Sequence, residues 1–264
     1  SYIQVISYFH KFDFKVGVAI PFVFGNDGFR KSDWDDIFDL FDRINYLDYF
    51  NNENKYEIHL GKIENKTWGA GGLLHNYTNT QNYPNTVRTG LDGSISMGNK
   101  FLNFNYFISS LRDFKNGGGL MGLRSEMYLT DHFPLTIGFG FITDLNNYSE
   151  INSELQFLTR TISGSEVDFS YELFSSVNNY FNLFLEYDEL YYNEEIIFTS
   201  PSKDIIKKPG GSNWLFGFEH KKGSLISTIS FSLASKTMKS EYFNSVYDLE
   251  KARYISISED LIIN

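Results

Sequence analysis

KYEIHLGKIENKTWGAGGLLHNYTNTQNYPNTVRTGLDGSISMGNKFLNFNYFISSL, residues 55–111, is the stretch that decides the fold class. Its pattern predicts four strands joined by a short turn, a long loop and another short turn: residues 55–63, 67–75, 86–96 and 101–111. In the last two strands, apolar side chains such as Ile95 and Phe104 alternate with polar ones such as Asp92 and Asn105. This pattern is typical of an antiparallel up-and-down sheet with one apolar and one polar face.

The same alternation continues on both sides of this stretch. It predicts strands at residues 2–9, 14–24, 120–129, 135–143, 166–174, 180–190, 214–220, 224–233 and 253–258. Residues 155–162 also resemble a strand, but we interpret residues 144–165 as one long loop. In a meander all short turns lie at one end of the sheet, so short and long connections alternate. The connection before the strand at residues 135–143 is short, and the connection after it is therefore expected to be long. The total is about thirteen strands.

Two segments break the alternation. Residues 32–50 carry apolar side chains at helical spacing behind the capping residue Ser32, and residues 241–252 show a similar pattern. We predict amphipathic helices in long loops there. The first helix is expected to pack at the mouth or edge of a barrel, or to narrow its lumen.

Composition excludes several classes of protein. The chain has no cysteine, which excludes disulfides and thiolate chemistry, and its net charge of -10 argues against a nucleic-acid partner. It has no run of about 18 apolar residues, which excludes a transmembrane helix, whereas a membrane strand needs only about 9 to 11 residues. Aromatic residues make up 18% of the chain.

A soluble sandwich or barrel remains the alternative to a membrane barrel, but the uniformly apolar face of every clearly alternating strand favours the membrane barrel. Aromatic residues near strand ends fit interfacial girdles: Tyr56, Trp68, Tyr128, Tyr180 and Trp214.

Five short runs resemble a group of porin-like outer-membrane β-barrel proteins of Gram-negative bacteria. They are RINYL (43–47), HLGKIEN (59–65), TWGAGGLLHNYTN (67–79), YPNTVRTGLDG (83–93) and FNSVYDLEKAR (243–253). The resemblance implies a bacterial outer-membrane location with membrane lipids as partners, and it brings no catalytic residues. Residues 260–264, DLIIN, differ from the aromatic final strand that is common in such barrels.

These observations predict a single all-β domain over residues 1–264. The expected architecture is an antiparallel up-and-down transmembrane β-barrel of about 12 to 14 strands, with amphipathic helices in its long loops. The odd strand count and the ending indicate either a chain that is incomplete at one or both ends or an error in one predicted strand. The sequence leaves the oligomeric state open, and a homo-oligomer or a membrane-protein partner is compatible with it.

Charged residues on the polar face are the candidate pore lining. The earlier strands place both signs there: Lys15, Glu57, Arg88, Asp92, Arg124 and Glu126. The later strands place only acids there: Asp168, Glu172, Glu186, Asp188 and Glu219. The simplest interpretation is solvation of a wet lumen. The functional interpretation is a pore with one mixed and one acidic wall and a bias toward cations.

The function predicted from these features is passive diffusion of small polar solutes through a porin-like channel. The alternatives are a non-conducting barrel that serves as a scaffold, an adhesin or a subunit of a larger assembly, and a barrel-embedded hydrolase using His75 with Asp92 or a serine. The glycines of WGAGG, residues 68–72, lack the Lys-Ser/Thr and the helix of a phosphate loop, and the five histidines show no metal spacing. No cofactor or metal is therefore predicted.

Overall fold

A computed structural model describes most of the chain. It covers residues 2–11, 13–25, 28–29, 34, 37–51, 55–81, 88–98, 101–115, 117–130, 132–145, 161–192, 197–199, 205–207, 210–236, 238 and 240–248. The strands are β1 (Tyr2–Lys11), β2 (Phe14–Gly25), β3 (Gly28–Phe29), β4 (Ile44–Asn51), β5 (Tyr56–Gly61), β6 (Leu74–His75), β7 (Gly90–Met97), β8 (Leu102–Ile108), β9 (Leu120–Thr130), β10 (Phe133–Asp144), β11 (Ile162–Ser176), β12 (Asn179–Tyr192), β13 (Ile197–Thr199), β14 (Ile205–Lys207), β15 (Gly211–Lys222), β16 (Leu225–Ala234) and β17 (Phe243–Asn244).

Two short helices, α1 (Ile37–Phe41) and α2 (Leu111–Lys115), lie between strands. The described residues contain no helix that is both long enough and apolar enough to span a membrane.

Twelve strands follow one another in a single antiparallel path. Their order is β1-β2-β4-β5-β7-β8-β9-β10-β11-β12-β15-β16, and β3 pairs with the end of β2. Short turns and long connections alternate along this path, so all the long connections meet at one end of the sheet. The prediction of an all-β, antiparallel up-and-down architecture is confirmed. Within the described residues no pairing joins β1 to β16, and all ten residues of β16 are exposed.

The two faces of the sheet have opposite characters, as the alternation predicts. On the outer face, large apolar side chains are open to the surroundings: Leu123 is 65% exposed, Phe139 55% and Trp214 47%. On the inner face, the strand neighbours Gly140 and Glu166 are buried. Among the described residues of these twelve strands, charged side chains on the outer face occur only close to strand ends: Lys11, Glu189 and Lys222.

The prediction of a helix over residues 32–50 is wrong. Only Ile37–Phe41 is helical among the described residues there, and β4 (Ile44–Asn51) is a full strand between β2 and β5. Ile44 and Leu47 match helical spacing, but hydrogen bonding to a strand on each side decides the conformation, because a short apolar segment fits both periods. Residues 32 and 33, where the helix was expected to begin, lie outside the described residues.

The prediction of a sheet strand over residues 67–75 is also wrong. The chain leaves the sheet after Gly61 and returns at Gly90, so β5 pairs directly with β7. Only Leu74–His75 is extended, and it pairs in parallel with Phe243–Asn244. The same pairing contradicts the helix predicted over residues 241–252 at its first turn, and residues 249–252 lie outside the described part.

Two further boundaries differ or are untested. β11 begins at Ile162, four residues before the predicted strand, so the end of the predicted loop over residues 144–165 is strand. Residues 146–160 of that loop and the predicted last strand, residues 253–258, lie outside the described residues.

Candidate functional site

The connection between β5 and β7 folds back over the inner face of the sheet. We call residues 62–80 the inner loop. Its apolar side chains Trp68, Leu73 and Leu74 are at most 3% exposed, and the Trp68 ring packs edge-on against Phe107 of β8 with ring centroids 5.3 Å apart. Trp68 therefore lies inside the molecule rather than in the interfacial girdle predicted for it. The core around the loop includes side chains from the neighbouring strands: Phe107, Leu120, Ile142, Ile162 and Leu190.

A second segment, residues 240–248, packs against the inner loop. The backbone N–H of Phe243 donates to the Leu73 carbonyl oxygen over 3.1 Å, and the N–H of Glu241 donates to the Gly72 carbonyl oxygen over 2.7 Å. Since Phe243 is fully buried, this segment extends the core of the inner loop.

Two buried tyrosines, one in each segment, donate hydrogen bonds to carboxylates. The Tyr77 hydroxyl donates to Asp248 Oδ2 over 3.0 Å, and the Tyr247 hydroxyl donates to Asp144 Oδ2 over 2.9 Å. Burial, together with the nearby carboxylate, raises the pKa of Tyr77 and of Tyr247 well above the ordinary tyrosine value. Both hydroxyls therefore keep their protons and act as donors at neutral pH.

Four acids lie opposite one another on β11 and β12, beneath the inner loop. In the strand register Glu166 faces Asp188 and Asp168 faces Glu186, and all four side chains are buried. Like charges directly across a strand pair repel each other, so this arrangement needs compensation.

Arg124 of β9 supplies part of that compensation. Its guanidinium contacts Glu166, reaches Asp168 Oδ2 over 2.7 Å and donates from Nε to Glu126 Oε1 over 2.9 Å. The register places Gly140 between Arg124 and Glu166, which leaves room for the ion pair to span β10.

The inner loop supplies backbone donors to the same cluster. The N–H of Gly72 donates to Glu186 Oε1 over 2.7 Å, and the N–H of Ala70 donates to Glu186 Oε2. A Cβ on Gly72 would lie 2.0 Å from Asp188 Oδ2, and Gly71 has a φ of +88°. Only glycine allows the backbone to approach the carboxylates this closely and to turn in this way. The backbone of the WGAGG run therefore packs closely against the acids of β12 and donates hydrogen bonds to Glu186.

Three other candidate residues bind neighbouring segments. Arg88 lies just before β7, where its Nη1 is 3.0 Å from Asp248 Oδ2, and Asp92 forms an ion pair with Lys66 of the inner loop. Glu219 accepts a hydrogen bond from the Tyr180 hydroxyl.

The remaining candidates lie nearer the short turns. Lys15 and Glu57 are exposed, and Glu172 is half-buried. The inner face thus has two parts, one filled by the inner loop at the long-connection end and one with partly exposed polar side chains toward the short turns.

Several site residues escaped the sequence analysis. Glu166 belongs to the buried cluster, but the predicted strand began at that residue, so its face was not assigned. Extending the alternation from Asp168 back by two positions would have placed it. Lys66, Asp144 and Asp248 lie in connections or at a strand end, where alternation gives no signal.

The residues proposed for a hydrolase, His75 and Asp92, form no hydrogen bond with each other among those found in the described part of the chain. His75 Nε2 is bonded to Asn76 Nδ2 at 3.0 Å, whereas Asp92 pairs with Lys66. The buried oxygens of the site can bind positive charge, and the inner loop covers the inner face.

Comparisons with known proteins found no matching family model, no similar curated protein and no similar solved structure. The resemblance to porin-like barrels therefore stays a prediction.

Proposed function

We propose that this protein is an outer-membrane β-barrel of the porin kind, in which the inner loop closes the lumen and its displacement admits small polar solutes. The sheet would close around the inner loop, with its outer face toward lipid. The observation that carries the proposal is the contrast between a wide exposed apolar outer face and an inner face that holds nearly all the charges. Monomeric soluble proteins rarely expose an apolar surface larger than a few hundred Å².

The aromatic contacts of the outer face support a lipid environment. Cross-strand neighbours stack on each other there, with ring centroids of Phe181 and Phe218 5.4 Å apart and those of Phe216 and Phe231 5.6 Å apart. Phe216 is 40% exposed and Phe231 58%, and exposed rings of this kind need an apolar covering layer. Lipid acyl chains supply such a layer evenly over all the strands.

The position of the inner loop supports a gated rather than a permanently open passage. The loop is attached at the long-connection end, which faces outward in bacterial outer-membrane barrels. Polar side chains such as Glu57 and Glu172 keep partial exposure toward the short turns. A solute that enters from that side would meet the inner loop.

A non-conducting barrel is the second candidate, and the density of the packing favours it. Leu73, Leu74, Tyr77 and Phe243 are each fully buried, so displacing the inner loop must expose a hydrophobic core. In that case the barrel would serve as a scaffold, an adhesin or a subunit of a larger membrane assembly.

Extraction and conductance measurements test the proposal. The protein is expected to require detergent, to run faster on gels before heating than after it, and to show rare, small openings in planar bilayers. Recovery as a soluble protein without detergent would contradict the membrane assignment. If a variant without the inner loop folds and inserts but shows no conductance, the result would favour the second candidate.

The outer face can be tested with one charged substitution. Phe139→Arg, in the middle of β10, is expected to destabilise the protein in lipid vesicles by about 2–4 kcal/mol, because the charge would enter hydrocarbon. The matched control is Thr136→Arg on the inner face of the same strand, where the effect should be much smaller. Urea unfolding in vesicles measures both, and equal losses would contradict the assigned faces.

A further inference from the structure

Three of the buried carboxylates converge on one point. Glu166, Glu186 and Asp188 each offer an oxygen, and these oxygens lie within 4.8 Å of one another. All three side chains are closed to solvent. They come from two adjacent strands held in register, so their spacing is fixed by the sheet and not by a loose surface chain.

Two of these residues also keep an oxygen that accepts no hydrogen bond from the described part of the chain. Glu166 Oε2 and Asp188 Oδ1 are buried and have no hydrogen-bond partner among the described residues. Their other oxygens are occupied, by Arg124 and by Asn213 Nδ2 respectively. A buried carboxylate oxygen without a partner is strongly destabilising, so unsatisfied atoms of this kind point to a missing ligand.

The acids of the cluster also outnumber its basic groups. Four carboxylates meet one guanidinium there, and Arg124 makes all the ion pairs recorded for these four acids in the described part of the chain. The N–H groups of Ala70 and Gly72 add partial positive charge at Glu186 only. A divalent cation between Glu166, Glu186 and Asp188 would compensate the carboxylates that Arg124 does not.

We propose that Glu166, Glu186 and Asp188 form a calcium site. The donors are all carboxylate oxygens, which favour a hard cation, and none is a histidine nitrogen or a thiolate. Ca²⁺ accepts several protein oxygens at about 2.4 Å in flexible geometry, whereas Mg²⁺ demands near-octahedral geometry at about 2.1 Å and usually keeps several of its waters. A set of protein carboxylates that is closed to solvent therefore suits Ca²⁺ better than Mg²⁺.

The site has a mechanical consequence for the inner loop. Glu186 binds both the proposed ion and the backbone of Ala70 and Gly72. An ion that fixes this carboxylate also fixes the acceptor that holds the inner loop against β12. Calcium is therefore expected to stabilise the closed arrangement. The site itself does not depend on the proposed transport of solutes.

Calcium titration of the chelator-stripped full chain in detergent micelles tests the inference. Isothermal titration with CaCl₂ is expected to show one ion per chain, with a dissociation constant in the range of about 10⁻⁶–10⁻³ M. Saturating CaCl₂ should also raise the melting temperature, and MgCl₂ should do so less. The double variant Glu166→Gln/Asp188→Asn should lose both the saturable binding and the thermal shift.

Glu189→Gln is the matched control, because Glu189 is the next residue along β12 and faces the opposite side of the sheet. It should bind calcium as the unaltered protein does. Gel mobility before and after heating shows whether each variant is folded. The inference is overturned if the folded, unaltered protein takes up no calcium at millimolar concentration, or if the double variant binds as well as the control. It is also overturned if calcium leaves the melting temperature unchanged while a rise in pH lowers it, since the carboxylates would then be held by protons.

Discussion

A protein in which residues 62–89 are replaced by a linker of about five residues is expected to conduct continuously in planar bilayers, where the unaltered protein opens rarely. The exchange is compatible with the sheet because Gly61 and Gly90 are direct register partners on β5 and β7. A hairpin turn can therefore join the two strands without moving either. It removes Trp68, Leu73 and Leu74 from the inner face, which then presents the acids of β11 and β12 together with apolar side chains such as Phe107 that packed against the loop.

Single-channel recording and gel mobility before and after heating together measure this effect. Glu64→Gln is the matched control, because Glu64 belongs to the inner loop but is exposed, and its conductance should equal that of the unaltered protein. A deletion variant that folds and inserts but remains silent would contradict the gated channel. Such a result would leave the non-conducting barrel as the function.

Two errors in the strand prediction compensate each other. Periodicity predicts no strand at β4 (Ile44–Asn51) and predicts one at residues 67–75 that is absent from the described sheet. The predicted alternation of short and long connections nevertheless agrees with the structure, because the two errors cancel. β4 lacks clean alternation because its inward residues Tyr46 and Phe50 are aromatic. The Tyr46 ring stacks near that of Tyr8, at a centroid distance of 6.2 Å, above the buried Gly17. A strand that is apolar on both faces cannot be distinguished from a helix by period alone.

The polar face of the sheet could be predicted from the sequence, but the inner loop that covers it could not. Alternation placed Asp168 and Glu186 on the inner face, as the structure does. The same pattern arises whether water or protein covers that face. The contact that decides between the two joins Ala70 to Glu186, which are 116 positions apart, and no local pattern encodes such a contact. The three glycines of residues 69–72 were the available signal, since a glycine run with apolar neighbours is unusual in a sheet strand.

Arg124→Met is expected to destabilise the protein by about 3–5 kcal/mol, because it removes one partner of a buried ion pair and leaves charge uncompensated. Arg124 is 4% exposed, and its contacts Glu166 and Asp168 are closed to solvent as well. Methionine keeps much of the volume of the arginine stem, so the loss should come mainly from charge. Urea unfolding in chelator-containing buffer gives the difference in the free energy of unfolding.

Two comparisons separate charge from packing in this prediction. Arg112→Met removes a guanidinium that is 2.7 Å from Asp39 Oδ1 but has a side chain 42% exposed, so it should destabilise by about 1 kcal/mol or less. Neutralising Glu166 and Asp168 in the triple variant Arg124→Met/Glu166→Gln/Asp168→Asn should recover most of the lost stability, because the two acids that paired with the guanidinium are then uncharged. If the triple variant is as unstable as Arg124→Met alone, the arginine stabilises the sheet through its packing, and the acids of β11 do not require its charge.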